Sequence, residues 1–148
     1  MLCCEKLLYK THFLADLHQP RTVPLPATFL IDLSKTMSNL DSGVSFRLLS
    51  NHPFAFRKDG GPHDAFERQA LAYLEKHPGD TYSRVTDYNG IRSFRYARAD
   101  IMKASCVACH NSHPESGKRD WKVGDVRGIV SVSTPIEVLA NKTHSGVL

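Results

Sequence analysis

The chain has 148 residues, of which 41% are apolar and 23% are charged, as expected for a single globular domain. Its net charge is +4, and its 19 Lys and Arg residues are spread along the chain, so no basic patch indicates nucleic-acid binding. The sequence contains no run of 18 apolar residues, which excludes a membrane-spanning segment within it.

The first 24 residues are a predicted lead-in with weak helical patterning that ends among prolines. This N-terminus lacks the basic start and the unbroken apolar core of a signal peptide. The polar residues that interrupt it are Glu5, Lys10, His12 and Asp16.

A first helix is predicted from Pro26, a residue suited to the first helical position. Its apolar residues recur at helical spacing, and they are Phe29, Leu30, Leu33, Met37 and Leu40. The helix stops at Asp41-Ser42-Gly43, and residues 44–49 then alternate in polarity as a strand does. Residues 53–63 are a predicted loop.

Asp64 and Glu67 resemble a capping box and predict the start of a second helix. Its apolar face comprises Phe66, Ala70, Leu71 and Leu74, and Pro78-Gly79 ends it. Residues 81–87 and 91–98 are predicted strands that Asn89-Gly90 joins as a hairpin.

Residues 100–122 form a segment with a long polar loop, and residues 125–133 are the last predicted strand. One face of this strand carries Val126, Gly128, Val130 and Val132, and Gly128 would let a bulky group approach the sheet closely. Residues 137–148 are expected to begin as a helix and to continue as a tail.

The segment at 100–122 contains Cys106, Cys109 and His110, the Cys-x-x-Cys-His pattern of c-type haem attachment. On one turn of helix, positions i, i+3 and i+4 share a face. Both thiols would therefore form thioethers with one haem, and His110 would bind its iron as the proximal ligand. The pattern predicts covalently bound haem c.

Three alternatives compete with covalent haem. Cys106, Cys109, His110 and His113 could bind zinc, although zinc ligands usually come as two separated pairs. A thioredoxin-like pair needs a long following helix, and Pro114 soon breaks this one. The third alternative is two inert thiols beside an unrelated histidine.

The sixth position on the iron stays unassigned, because several side chains and water are candidates. The protein candidates are Met37, His52, His63, Met102 and His113. His113 is expected to cap the turn or contact a propionate, since two neighbours on one short helix cannot bracket a ring. The candidate propionate partners are Lys118, Arg119 and Arg127, and Trp121 is expected to be buried against haem or sheet.

Several runs resemble a known family. They are Leu25-Pro26-Ala27-Thr28-Phe29, Gly43-Val44-Ser45-Phe46-Arg47-Leu48, Asp64-Ala65-Phe66-Glu67-Arg68-Gln69-Ala70-Leu71 and, most specifically, residues 106–128. They resemble the c-type-haem PAS-like sensor domains at the extracytoplasmic end of histidine kinases and adenylate or guanylate cyclases. The resemblance covers residues 25–136, which divides the chain into lead-in 1–24, sensor domain 25–136 and tail 137–148.

Element order and resemblance together predict an α+β fold. Its PAS-like antiparallel sheet has flanking helices, and the haem-attachment segment precedes the last strand. The resemblance implies a covalent haem-binding sensory domain that responds to redox state or to a small ligand at the iron. The implied partners are a kinase or cyclase output module and a second copy of the chain.

Covalent haem also implies an extracytoplasmic location, yet no signal peptide is visible. The expectation is that the start is incomplete, that residues 1–22 replaced a leader, or that haem is never attached. An enzyme is not expected, because no phosphate loop, activated serine or carboxylate pair is present. The alternative functions are a small electron-transfer cytochrome and a truncated sensor fragment without output.

Overall fold

The computed structural model describes residues 26–38, 40, 43–138 and 140. Within these residues the elements, numbered in chain order, are α1 (Pro26–Ser38), β1 (Ser45–Leu49), α2 (Ala65–Leu74), β2 (Thr81–Tyr88), β3 (Ile91–Ile101), α3 (Ala104–Ser112) and β4 (Val126–Pro135). The predicted lead-in and most of the predicted tail lie outside the described residues. Every helix in the described part of the chain is too short or too polar to cross a bilayer.

The four strands form one antiparallel sheet in the order β1-β4-β3-β2. The predicted α+β fold is therefore confirmed, with a PAS-like sheet, flanking helices and the Cys-x-x-Cys-His segment before the last strand. The predicted hairpin turn is present as well. Asn89 and Gly90 have φ values of 51° and 78°, the left-handed conformation that a tight type I′ turn requires.

Helix α2 covers one face of the sheet. Asp64 caps its N-terminus by accepting a hydrogen bond from the Glu67 amide at 2.9 Å. The core between α2 and the sheet consists of Phe66, Ala70, Leu71 and Leu74 from the helix and Leu49, Tyr82, Ala97 and Ile129 from the strands. Burial of a large apolar side chain of this kind contributes about 1.5–3 kcal/mol relative to exposure.

Charged side chains also lie on the covered face. Arg95 of β3 is 1% exposed and donates to Asp64 Oδ2 over 2.6 Å. Arg47 of β1, whose side chain is 19% exposed, pairs over 2.5 Å with Glu67, which is 1% exposed. Such charges are tolerated in the interior because each has an oppositely charged partner. Phe94, which precedes Arg95, consequently lies on the other face and is 38% exposed.

Gly128 of β4 does permit a close approach, but the group that approaches is a neighbouring strand. A Cβ atom at this position would overlap the carbonyl oxygen of Leu49 in β1. Leu49 pairs with Ile129, the residue of β4 that follows Gly128. The glycine therefore serves strand pairing within the sheet.

Candidate functional site

Helix α3 lies in the segment that connects β3 to β4, and backbone hydrogen bonds join the two ends of this segment. The Met102 amide donates to the Asp125 carbonyl over 2.8 Å, and the Gly124 amide donates to the Met102 carbonyl over 3.0 Å. At the other end of the helix, the His113 amide donates to the Cys109 carbonyl, and Pro114 follows. Since proline cannot continue a helix, α3 stays short.

The three residues of the attachment motif all lie on α3. Cys109 is 5% exposed, whereas Cys106 and His110 are half-buried. Their spacing on a helix brings their side chains to the same side, which is the arrangement that the prediction requires. Their role as haem ligands stays a prediction at this point.

His110 has an aromatic and cationic environment. Its ring centroid lies 4.9 Å from that of Phe54 and 6.4 Å from that of Trp121. Burial, followed by the positive charge of Arg127, lowers the pKa of His110 to about 4, while Asp100 acts in the opposite direction. The imidazole is therefore neutral at physiological pH, and a neutral imidazole is the form that ligates a metal.

The loop between β1 and α2 supplies aromatic side chains that the sequence patterns did not single out. Phe54 stacks on Phe56 at 5.4 Å and contacts His113 edge-on at 5.0 Å. The Ala55 amide donates to the Glu115 carbonyl over 3.0 Å, so this loop is joined to the segment after α3. The only available signal was two phenylalanines in a loop otherwise rich in polar residues, Gly and Pro.

Asn111 is a second residue that the patterns did not single out. Its side-chain amide donates to the Trp121 carbonyl over 2.9 Å, and its carbonyl accepts from the Trp121 amide over 2.8 Å. The two bonds fix the end of the polar loop against α3. As a consequence Trp121 is 5% exposed and is held beside His110, which agrees with its predicted burial.

The candidate propionate partner Arg127 lies at the site. Its Nη1 atom is 3.5 Å from His110 Nε2. Its Nε and Nη2 atoms both donate to Asp100 Oδ2, so the guanidinium has a carboxylate partner. A second cation, Arg57, is close enough for its charge to act on His110, and it was not among the predicted partners.

The other two candidate partners have other contacts. Lys118 pairs with Asp120 over 2.7 Å, and its Nζ atom lies 5.0 Å from the centre of the Trp121 ring. Arg119 donates to the Pro114 carbonyl. A role for either residue with a propionate stays a prediction.

The three histidines among the sixth-ligand candidates lie in different surroundings. His113 Nδ1 accepts from the Glu115 amide over 3.1 Å, so it caps the turn as expected. His52 is exposed and contacts the Trp121 ring edge-on at 5.9 Å. His63 lies 2.9 Å from Arg47 Nη2, among the charged residues near α2.

The remaining two candidates are methionines. Met102 is 1% exposed, and Met37 is half-buried on α1. Their burial alone does not favour either methionine over the other candidates, so the sixth ligand stays unassigned.

The residues around His110 fit a flat apolar group that carries carboxylates. Trp121 Nε1 is buried and has no hydrogen-bond partner within the described structure, which leaves a donor for a bound group. The rings of Phe54 and Trp121 would pack against a porphyrin, and the positive charge near His110 would suit its carboxylates. A zinc site has less support, because no three His, Cys, Asp or Glu side chains come together as a metal site among residues 26–38, 40, 43–138 and 140.

A protein-family model matches most of the chain. The family model described as Tll0287-like matches residues 5–135. The chain belongs to the Tll0287-like family. No curated protein matches it.

A solved structure shares the fold of this Tll0287-like chain. The crystal structure of the cyanobacterial heme-protein Tll0287 matches with a TM-score of 0.53 and 20% sequence identity. The match covers 78% of this chain and 79% of the other. At this level of identity the comparison shows the fold alone.

Proposed function

We propose that this protein binds haem covalently through Cys106 and Cys109, with His110 as the proximal iron ligand, and that it acts as a sensory domain. The observation that carries the proposal is the complete attachment motif on one short helix, with a neutral His110 that lies near the rings of Phe54 and Trp121. Membership of the Tll0287-like family and the shared fold with a heme-protein support it.

In this proposal the domain is a binding module and not an enzyme. Bound haem supplies an iron that changes oxidation state and exchanges axial ligands. The stimulus is the redox state or a small ligand at the iron, and the output partner is a histidine kinase or a nucleotide cyclase. Covalent attachment of haem takes place outside the cytoplasm, so we propose an extracytoplasmic location.

The loop between β1 and α2 provides a physical route from the site to the rest of the domain. Phe54 in this loop contacts His110. Further along the loop, the carbonyl oxygens of Asp59 and Gly61 accept from Arg47 of β1, which also pairs with Glu67 of α2. A ligand shifts such a network only if it binds two packings with different affinity. We therefore expect any response at His110 to reach α2 through residues 50–63.

The first experiment tests attachment. The chain is expressed behind an export signal together with haem-attachment machinery, denatured, and examined for haem stain and absorbance. The unaltered protein should keep its colour, and a variant with Cys106→Ala and Cys109→Ala should lose it. A matched control carries Cys3→Ala and Cys4→Ala, the other two cysteines of the chain, and should stay coloured. Covalent colour in the Cys106/Cys109 variant would refute the attachment site.

The second experiment separates sensing from electron transfer. Amide hydrogen exchange is compared between oxidised and reduced protein, and with and without carbon monoxide. Sensing predicts changed protection in residues 50–63 and in α2, with little change in the β2–β3 hairpin as internal control. Equal protection in all states, with two protein ligands on the iron throughout, would favour an electron-transfer cytochrome.

A further inference from the structure

Arg57 is a partly buried cation that lacks an ion-pair partner among the described residues. Its guanidinium lies over the Phe56 ring, 5.6 Å from the ring centre, and Nη2 donates to the neutral hydroxyl of Thr28 over 3.2 Å. In the part of the chain that the structure describes, no carboxylate forms an ion pair with it. Burial, then the charge of Arg127, lowers the pKa of Arg57, and Asp32 of α1 offsets this only in part.

The neighbouring Arg127 differs in this respect. It is held by Asp100 through two of its nitrogen atoms, so its charge is neutralised within the protein. The charges of both arginines also act on His110. Within the described part of the chain, the site therefore contains two guanidinium groups, of which only Arg127 has a paired carboxylate. A charge removed from water without a partner is costly, so a second carboxylate is expected beside Arg57, and none of the described residues supplies it as an ion pair.

We propose that Arg57 binds a carboxylate of the bound tetrapyrrole and thereby positions the cofactor on His110. This inference rests on the proposed function. A guanidinium forms two parallel hydrogen bonds to a carboxylate, and the Phe56 ring beneath it holds its plane. Thr28 of α1 contributes by holding the guanidinium, so the bound cofactor also links α1 to the loop between β1 and α2.

The test is the reduction potential of the haem-loaded protein in Arg57→Gln, Arg57→Lys and the control Arg84→Gln. Arg84 is an exposed arginine of β2 that lies over Tyr82. All variants should retain covalent haem, because the thioethers do not depend on Arg57. Loss of the cation leaves the carboxylate charge uncompensated and favours ferric iron. Arg57→Gln should lower the ratio of ferrous to ferric protein at fixed potential by tenfold, about 59 mV for one electron.

Arg57→Lys keeps the charge and should recover most of this shift, and Arg84→Gln should show none. An unchanged ratio in haem-loaded Arg57→Gln would overturn the inference while leaving the proposed function intact. An unaltered protein without covalent haem would overturn both.

A last arm identifies the source of the carboxylate. Acetate is added to unaltered protein and to Arg57→Gln. If the cofactor already occupies Arg57, acetate changes the potential of neither. A potential that responds to acetate only when Arg57 is present would assign this residue to a free carboxylate and would overturn the inference.

Discussion

Asn111→Ala tests whether the bonds between α3 and Trp121 hold the site together. The substitution removes both hydrogen bonds, of 2.9 and 2.8 Å, to the backbone of a residue that is 5% exposed. A net contribution of about 1 kcal/mol per bond, with an added cost for leaving buried groups unpaired, gives about 2–3 kcal/mol. Alanine is a better helix former by about 0.5 kcal/mol, so the free energy of unfolding should fall by about 2 kcal/mol.

Urea unfolding, followed by circular dichroism and by the fluorescence of Trp121, measures this change. Trp121 is the only tryptophan of the chain, so its signal reports on the site itself. With a urea dependence of about 2 kcal/mol/M, the midpoint should fall by about 1 M.

The matched control is Asn51→Ala. Its side chain donates to Glu75 Oε1 over 2.7 Å at the exposed surface, where such pairs contribute little. Its midpoint should therefore stay close to that of the unaltered protein. If the Asn111 and Asn51 variants unfold at the same urea concentration, the Asn111 bonds do not stabilise the fold and the reasoning is wrong.

Two further predictions concern the sheet and α2. Gly128→Ala should destabilise the fold by about 1–3 kcal/mol in the same urea assay, because the added methyl group overlaps the Leu49 carbonyl. The control Gly79→Ala should be nearly neutral, because no atom lies within 4 Å of the added Cβ position. For Asp64, burial alone would raise the pKa, but the Glu67 amide bond and the Arg95 guanidinium outweigh it and hold the pKa below its usual value. A carboxylate whose pKa is lower in the folded state than in the unfolded state, where it is near 4, stabilises the fold at higher pH. Asp64→Asn should therefore be less stable than the unaltered protein at pH 7. The difference in the free energy of unfolding should vanish as the pH falls through the lowered pKa of Asp64. A difference that persists unchanged at low pH in urea unfolding would contradict this assignment.

The N-terminal cap of α2 was predicted only in part from the local sequence pattern. The Asp64 half of the predicted capping box is present, since Asp64 accepts from the Glu67 amide. In the other half, the Glu67 carboxylate accepts from the His63 amide and pairs with Arg47. Arg47 lies on strand β1, 20 residues earlier in the chain, so its ion pair with Glu67 depends on tertiary packing and has no local signature in the sequence.

Strand β3 shows a similar limit. Its predicted end at residue 98 is three residues short of Ile101, because the extra residues are held by pairing with β4. The polarity of β3 does not reveal which face α2 covers, since the charge of the buried Arg95 is balanced by Asp64 and Glu67 at the start of that helix.

The order of elements, the hairpin turn and the placement of Cys106, Cys109 and His110 on one helix could be read from the chain alone. Each depends on residues close together in sequence, where backbone geometry dictates which side chains are neighbours. The surroundings of His110 could not be read in this way. Phe54, Arg57 and Arg127 come from a loop and a strand far apart in the chain, and their charges and rings act on His110 only after the sheet has brought those segments together.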